Sequence, residues 1–224
     1  MRMLVISDVH GNISALRDVL AKHLDEVDVV VSAGDLAPYG DPRGCKRMLT
    51  ALSMICSVRK VPIVAVPGNM ERLRDYEYPP EGVYVVHGSH AVILGYSFMG
   101  VGGSTPTPFG TYFELSEEEI ADILERAWRN AFAAGPVILV THSPPYGTKC
   151  DIVHGGQHVG SRAVRDFIEH HPVLLCICGH IHESRNIDRL GNTVIVNPGP
   201  LKNGFYAMIE LEEYSVKSVE LRSL

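Results

Sequence analysis

The 224-residue chain predicts an α/β fold built on a parallel sheet. Two observations carry that expectation. Short apolar runs at residues 3–6, 27–31 and 63–66 alternate with two stretches whose apolar residues recur at helical spacing. The runs are also apolar at successive positions, as in strands covered on both faces. A β-α-β-α-β succession of this kind closes through right-handed crossovers.

Taken in order, the first strand at residues 3–6 runs into Ser7-Asp8-Val9-His10. Ile13, Leu16, Leu20 and Leu24 follow at helical spacing, with Asn12 as the N-cap. The second strand ends in Ser32-Ala33-Gly34-Asp35. Cys45, Met48, Leu49, Leu52 and Ile55 predict the second helix, its start marked by Asp41 and by Pro42 at the first helical position. The third strand leads into Pro67-Gly68-Asn69-Met70-Glu71. Residues 83–86, 91–94 and 96–101 are short runs parted by turn residues, which predicts antiparallel hairpins. Ser116 and Glu119 form a capping box for a third helix through Ile120, Ile123, Leu124, Ala127 and Ala131. Residues 137–140 are another buried strand, ending at Thr141-His142.

Residues 143–160 are long, polar and irregular, with Tyr146, Asp151, His154 and His158. A loop of that length predicts an ordered rim around a functional site. Ser161 caps a short helix through Val164, Phe167 and Ile168. A strand at 173–178 opens onto Gly179-His180-Ile181-His182. Glycine-turned hairpins close the chain around 193–196, Asn197-Pro198-Gly199-Pro200, 205–211 and 215–221. His23, His170 and His171 sit on or at the ends of predicted helices and read as surface residues.

Composition narrows the function class. The chain is 46% apolar and 21% charged, with a net charge of −6, ordinary for a soluble protein. That charge argues against gripping long nucleic acid through a bulk field. No run approaches the ~18 apolar residues of a membrane span, and the start lacks the pattern of a signal peptide. The five cysteines (Cys45, Cys56, Cys150, Cys176 and Cys178) form no CxxC pair. They read as free thiols in a reducing, cytoplasmic setting. No linker or charge run marks a boundary, so residues 1–224 are expected to form one domain.

The informative pattern is positional. Five strands end within one to three residues of a metal-competent side chain: Asp8 with His10, Asp35, Asn69, His142, and His180 with His182. Ligands of open α/β sheets bind at the carboxyl ends of the strands, so these residues can converge. Singly they have plainer readings: Asp35 as a turn residue, Asn69 as a cap, His142 as a hydrogen-bonded edge histidine. His180 and His182, spaced by one on an extended backbone, would point the same way and form a metal clamp. Mixed imidazole, carboxylate and amide donors suit Mn²⁺, Fe, Zn²⁺ or Ni²⁺ better than Ca²⁺ or Mg²⁺.

The set Asp8-x-His10, Gly34-Asp35, Gly68-Asn69, Thr141-His142 and Gly179-His180-x-His182 resembles the calcineurin-like metallophosphoesterases, in the same order. The compact size and the Asn197-Pro198-Gly199 turn look most like small prokaryotic phosphodiesterase-type members. The resemblance implies a four-layer α-β-β-α sandwich, two mixed sheets flanked by helices, with two divalent or trivalent metal ions in one site. It implies that Asp8, His10 and His182 hold one ion, that Asn69, His142 and His180 hold the other, and that Asp35 bridges them. Two divalent ions outweigh two aspartates, which leaves the site cationic and able to take a phosphoryl anion. Two metals ~3.5–4 Å apart also make hydroxide from water at neutral pH. The expected reaction is hydrolysis of small phosphodiesters, with Asn69 and His142 in the catalytic set. No protein nucleophile stands out, since there is no GxSxG or P-loop lysine motif.

One position departs from the family. Most members read Gly-Asn-His before an acidic residue, where this chain reads Gly68-Asn69-Met70-Glu71. The missing histidine is usually assigned to protonating the leaving oxygen or holding the phosphate, and methionine does neither. Losing a general acid costs roughly 10²–10⁴-fold in rate. Small relatives without that histidine remain hydrolases, so the expectation is slower turnover or leaving groups that need little protonation, such as aryl or nucleoside groups. His158 and His154 are the candidates to replace the acid. Asn12, Met70, Tyr146 and His158 are the expected substrate contacts. The expected partner is a small phosphoester, with no stable nucleic-acid or membrane binding and a homo-oligomer left open. A non-catalytic metal-binding scaffold on this fold, like the retromer subunit that resembles small family members, is the competing reading. The complete ligand set favours the enzyme, and Met70 alone favours the scaffold. A DNA-repair nuclease is a third reading, and would normally be longer.

Overall fold

In the computed structural model, which describes residues 1–38, 40–41 and 43–224, the strands fall into two six-stranded sheets. The first holds β1 (Arg2–Ile6), β2 (Val29–Ser32), β3 (Ile63–Ala65), β4 (Val83–Val85), β11 (Phe205–Glu212) and β12 (Ser215–Ser223). Their spatial order is β12-β11-β1-β2-β3-β4. The second holds β5 (His90–Ile93), β6 (Tyr96–Val101), β7 (Val137–Thr141), β8 (Val173–Ile177), β9 (Asn186–Leu190) and β10 (Thr193–Asn197), in the order β5-β6-β7-β8-β10-β9. Both sheets are mixed. In the first, β1 to β4 run parallel and β11 pairs antiparallel with β1. In the second, β6, β7, β8 and β10 run parallel and β5 and β9 antiparallel to their neighbours.

The side-chain period of two explains why these strands are apolar at every position. Leu4 and Ile6 face outward, packed with Leu16, Leu20, Leu49 and Leu52 of helices α1 (Ile13–His23) and α2 (Gly44–Ser57). Met3 and Val5 face inward and meet Ile138, Val140, Leu175 and Ile177 of the second sheet. The outer face of that sheet packs Met99, Leu139 and Cys176 against helices α3 (Glu117–Ala131) and α4 (Arg162–His170). Three apolar seams thus separate four layers, an α-β-β-α sandwich. Each fully buried leucine contributes roughly 1.5–3 kcal/mol. The sequence caps form as expected: Asn12, Ser116 and Ser161 each accept a backbone N–H of the first turn they precede.

Four expectations are corrected. β4 is not part of a hairpin; it extends the first sheet parallel to β3, with Val64 opposite Tyr84. Its connection is long enough for a crossover, and three residues do not specify the sense of pairing. Of these three middle strands, only β5 and β6 pair as an antiparallel hairpin. Second, β9 was not anticipated, because Asn186, Asp188 and Arg189 break up its apolar pattern on the sheet edge. Third, Asn197-Pro198-Gly199-Pro200 is not a hairpin turn; it carries the chain from β10 in one sheet to β11 in the other. Fourth, His23 is buried, its Nε2 2.8 Å from the Tyr206 hydroxyl. Arg43 holds the N-cap position of α2, while the Asp41 carboxylate accepts from the Gly44 N–H. The expected proline at Pro42 lies outside the described residues.

Candidate metal centre

The turns that follow β1, β2 and β8 have an unusual backbone. Asp8, His10, Asp35 and His180 have φ of 53°, 45°, 55° and 67°. Left-handed backbone costs a non-glycine residue about 1–2 kcal/mol and collects at functional sites. Here it is held by bonds between turns: Asp8 N–H donates to Gly34 O at 3.0 Å, His10 N–H to Asp35 O at 2.9 Å, and Gly179 N–H to His142 O at 3.0 Å. Close approach also needs glycine. A Cβ on Gly68 would lie 2.0 Å from Asp35 Oδ1, and one on Gly179 would lie 2.8 Å from Asp8 Oδ2.

The side chains converge in two overlapping groups, Asp8 with His10 and His182, and Asp8 with Asp35 and His142. Asp8 Oδ1 is 3.1 Å from His182 Nε2, and the Nε2 atoms of His10 and His182 are 3.3 Å apart. Asp8 is common to both groups, and Asp35 Oδ2 of the second lies 3.6 Å from His142 Nε2 and 3.7 Å from His10 Nε2 of the first. Asn69 Oδ1 is 2.9 Å from His142 Nε2, and the His142 and His180 rings are 5.0 Å apart. His180 and His182 do not share an extended strand as expected. The chain turns left-handed at His180 and enters a short 3-10 turn at His182, which sends the His182 ring to Asp8 and His10 and the His180 ring toward His142.

The donor set fits metal ions. Bonds of about 2.0–2.2 Å place neighbouring donors about 3.0–3.5 Å apart, close to the spacings here. His142 Nδ1 bonds Ala33 O at 2.7 Å, and the Asn69 NH₂ donates to Thr111 Oγ1 at 2.9 Å. With its Nδ1 on Ala33 O, His142 turns Nε2 toward Asn69 Oδ1, which sets an imidazole nitrogen and an amide oxygen side by side as a cation would need them. Burial, with the charges of Lys202 and neighbouring histidines and against the pull of Asp8, takes His10 down to about 4. Burial first, then His142, takes His180 down to about 3. Both are thus neutral imidazoles, the form that binds metal. Burial and the Asp8 and Glu71 charges push Asp35 well up. Burial opposes ionisation of Asp8, but the His182 hydrogen bond and the neighbouring histidine charges outweigh it and hold Asp8 low.

Three supporting residues were given no role of their own from the sequence. Glu71 is buried; its carboxylate accepts from Ala37 N–H at 2.9 Å, Gly68 N–H at 2.7 Å and the Tyr76 hydroxyl at 2.6 Å. It fixes the turn that carries Asn69 and Met70, while Met70 N–H donates to Asp35 Oδ1 at 2.9 Å. Asn197 donates to Ile181 O at 2.9 Å and steadies the histidine turn. Asp151 organises the loop at 143–160: it accepts from the N–H groups of Gly147, Thr148 and Gly160 and bonds His158 Nδ1 at 2.7 Å.

The expected substrate contacts are more dispersed. Asn12 caps α1 through Oδ1 and donates from Nδ2 to Lys202 O at 3.0 Å. The Tyr146 ring lies 3.9 Å from the Arg162 guanidinium and 5.7 Å from the His158 ring. His154 is 91% exposed, 4.0 Å from Glu183. A surface hollow of about 630 Å³ lies at the opposite ends of β8 and β10 and contains none of the converging side chains.

Known proteins share this architecture. The calcineurin-like phosphoesterase family matches residues 1–184. An uncharacterized protein of Methanocaldococcus jannaschii, MJ1162, is 36% identical over 204 residues, 89% of this chain and 88% of its own. The structure of TT1561 of Thermus thermophilus superposes with a TM-score of 0.73 at 23% identity, covering 99% of this chain and 98% of its own. A dimetal phosphatase from Danio rerio superposes with a TM-score of 0.65 at 14% identity, covering 95% of this chain and 93% of its own. The strand-end donors, the four layers and a family match over most of the chain agree: the chain belongs to the calcineurin-like phosphoesterases, a family of metal-dependent phosphoesterases.

Proposed function

We propose that this protein hydrolyses phosphodiesters of small substrates at a dinuclear centre. The observation that carries the reading is the pair of overlapping donor groups, with Asp35 Oδ2 3.6 Å from His142 Nε2 of one and 3.7 Å from His10 Nε2 of the other. Asp8, His10 and His182 would hold one ion and Asn69, His142 and His180 the other, with Asp35 within reach of both sets. When bound, such a pair supplies an activated water and neutralises the charge of the phosphoryl group. The chain's own part is to aim and exclude. Ala33 O and Thr111 fix the donor faces of His142 and Asn69, and burial keeps Asp8, Asp35 and His142 from bulk water. Met70 brings no proton to this turn, so substrates whose leaving oxygen is a stable anion need the least help from it. The dimetal phosphatase from Danio rerio has the same fold, which supports the class of reaction. The free, buried cysteines support a reducing, cytoplasmic setting.

A panel of aryl phosphodiesters, cyclic nucleotides and phosphomonoesters, assayed with Mn²⁺, Zn²⁺ and Ni²⁺, tests the reading. Diesters should be turned over faster than monoesters, and Asp35→Asn should lower turnover by at least about 100-fold. A monoester preference would overturn the diester assignment. A protein that binds metal and hydrolyses none of these esters would instead support the scaffold reading that Met70 favours.

A further inference from the structure

We infer that the Asp151–His158 pair is the proton donor of this site, in place of the histidine absent at Met70, with His158 a catalytic residue and Asp151 its positioning residue. This rests on the phosphoesterase reading above. Several observations carry it independently of the metal ligands. Asp151 is fully buried, yet its carboxylate makes its shortest bond, 2.7 Å, to His158 Nδ1. A carboxylate accepts, so the shared proton sits on Nδ1 and Nε2 faces away from it. The side chain of His158 is 35% exposed, which leaves it open to a ligand from solvent.

The pair is tied to the metal centre by backbone. The loop starts directly after His142, and Ile152 forms a bridge with His158. Ile152 N–H donates to Ser184 Oγ at 2.7 Å, and His154 N–H to Glu183 Oε1 at 3.3 Å, both on the turn that begins at His182. Asn197 Nδ2 lies 3.4 Å from Cys150 O and 2.9 Å from Ile181 O, which joins the residue before Asp151 to the one between the two histidines. His154, the other candidate, is 91% exposed and has only a 4.0 Å approach to Glu183, so nothing fixes its direction.

In the step assigned to the pair, water oxygen bonds to phosphorus and the bond to the leaving oxygen breaks. The electron pair stays on that oxygen. Protonated His158 gives it the Nε2 proton, and an alcohol departs. The imidazole is left neutral, its remaining proton still donated from Nδ1 to Asp151. The proton shed by the water goes to solvent, and His158 takes one back from solvent before the next turnover.

The test compares two diesters with the same phosphoryl half, one with a p-nitrophenyl and one with an alkyl leaving group, on Mn²⁺-loaded protein. His158→Gln should fall about 10²–10⁴-fold on the alkyl ester and much less on the aryl ester. Asp151→Asn should show the same selectivity with a smaller loss. Mn²⁺ titration calorimetry of His158→Gln should match the wild type, and added imidazole should restore alkyl-ester turnover in His158→Gly. Equal losses on both esters would mean a purely structural loop and overturn the assignment, as would no loss on either. A wild-type protein that binds Mn²⁺ and cleaves neither ester would overturn the phosphoesterase reading and this one together.

Discussion

At Gly68 the structure tolerates no side chain. A Cβ there would meet the Asp35 carboxylate oxygen at 2.0 Å and, more seriously, the Asp35 backbone nitrogen at 2.3 Å. A carboxylate can rotate away, whereas a backbone held left-handed cannot. Gly68→Ala should therefore cost about 1–3 kcal/mol, as overpacking does, and should also weaken Mn²⁺ binding. Urea unfolding read beside metal titration checks both; wild-type values for both would mean the two turns are looser than drawn. The same position shows what was legible at this scale. The identities of the strand-end donors could be read directly, because each follows an apolar run. Their supporting residues could not. Glu71, Asn197 and Asp151 act on backbone groups such as Ala37 N–H and Ile181 O, and no spacing in the chain announces a partner that only folding brings near.

Among the elements, α3 illustrates the part of a fold that is local. Ser116 Oγ accepts from Glu119 N–H at 3.2 Å, and Glu119 Oε2 accepts from Ser116 N–H at 2.8 Å. Both partners lie within one turn, so the pattern was visible in the sequence. Ser116→Ala should lower stability by about 1 kcal/mol. Metal affinity should not change, since α3 packs on the outer face of the second sheet, away from the centre. Thermal melts with and without Mn²⁺ would show this; a loss of metal binding would tie α3 to the site. Strand pairing is the opposite case. β4 and β9 are three and five residues long, and their neighbours are chosen by which edge is open. Hairpin or crossover, and which sheet is joined, are decided by the whole fold. The histidine pair was misread for a related reason. An apolar strand leads into it, but the left-handed residue at His180 ends the extended backbone one step before the rings diverge.

At the scale of the molecule, the donors divide by sheet. Asp8, Asp35 and Asn69 leave β1, β2 and β3, whereas His142 and His180 leave β7 and β8 of the other layer. The strand-end reading showed that these residues could meet; the sandwich shows that they meet across its central seam. That arrangement would make a bound metal a fastener as well as a catalyst. The sheets are glued along their length by apolar contact, but at this rim they face each other through carboxylates and imidazoles, which hold together poorly without a cation. Adding Mn²⁺ should slow hydrogen–deuterium exchange at the amides of Asp8, His10 and Gly179, while the amides of α3 should keep their apo rates. Uniform slowing, or none, would contradict this. Withdrawing the metal would then do more than silence chemistry: it would unbutton one rim of the sandwich, and a chelator would act as a mechanical lever on the protein's shape.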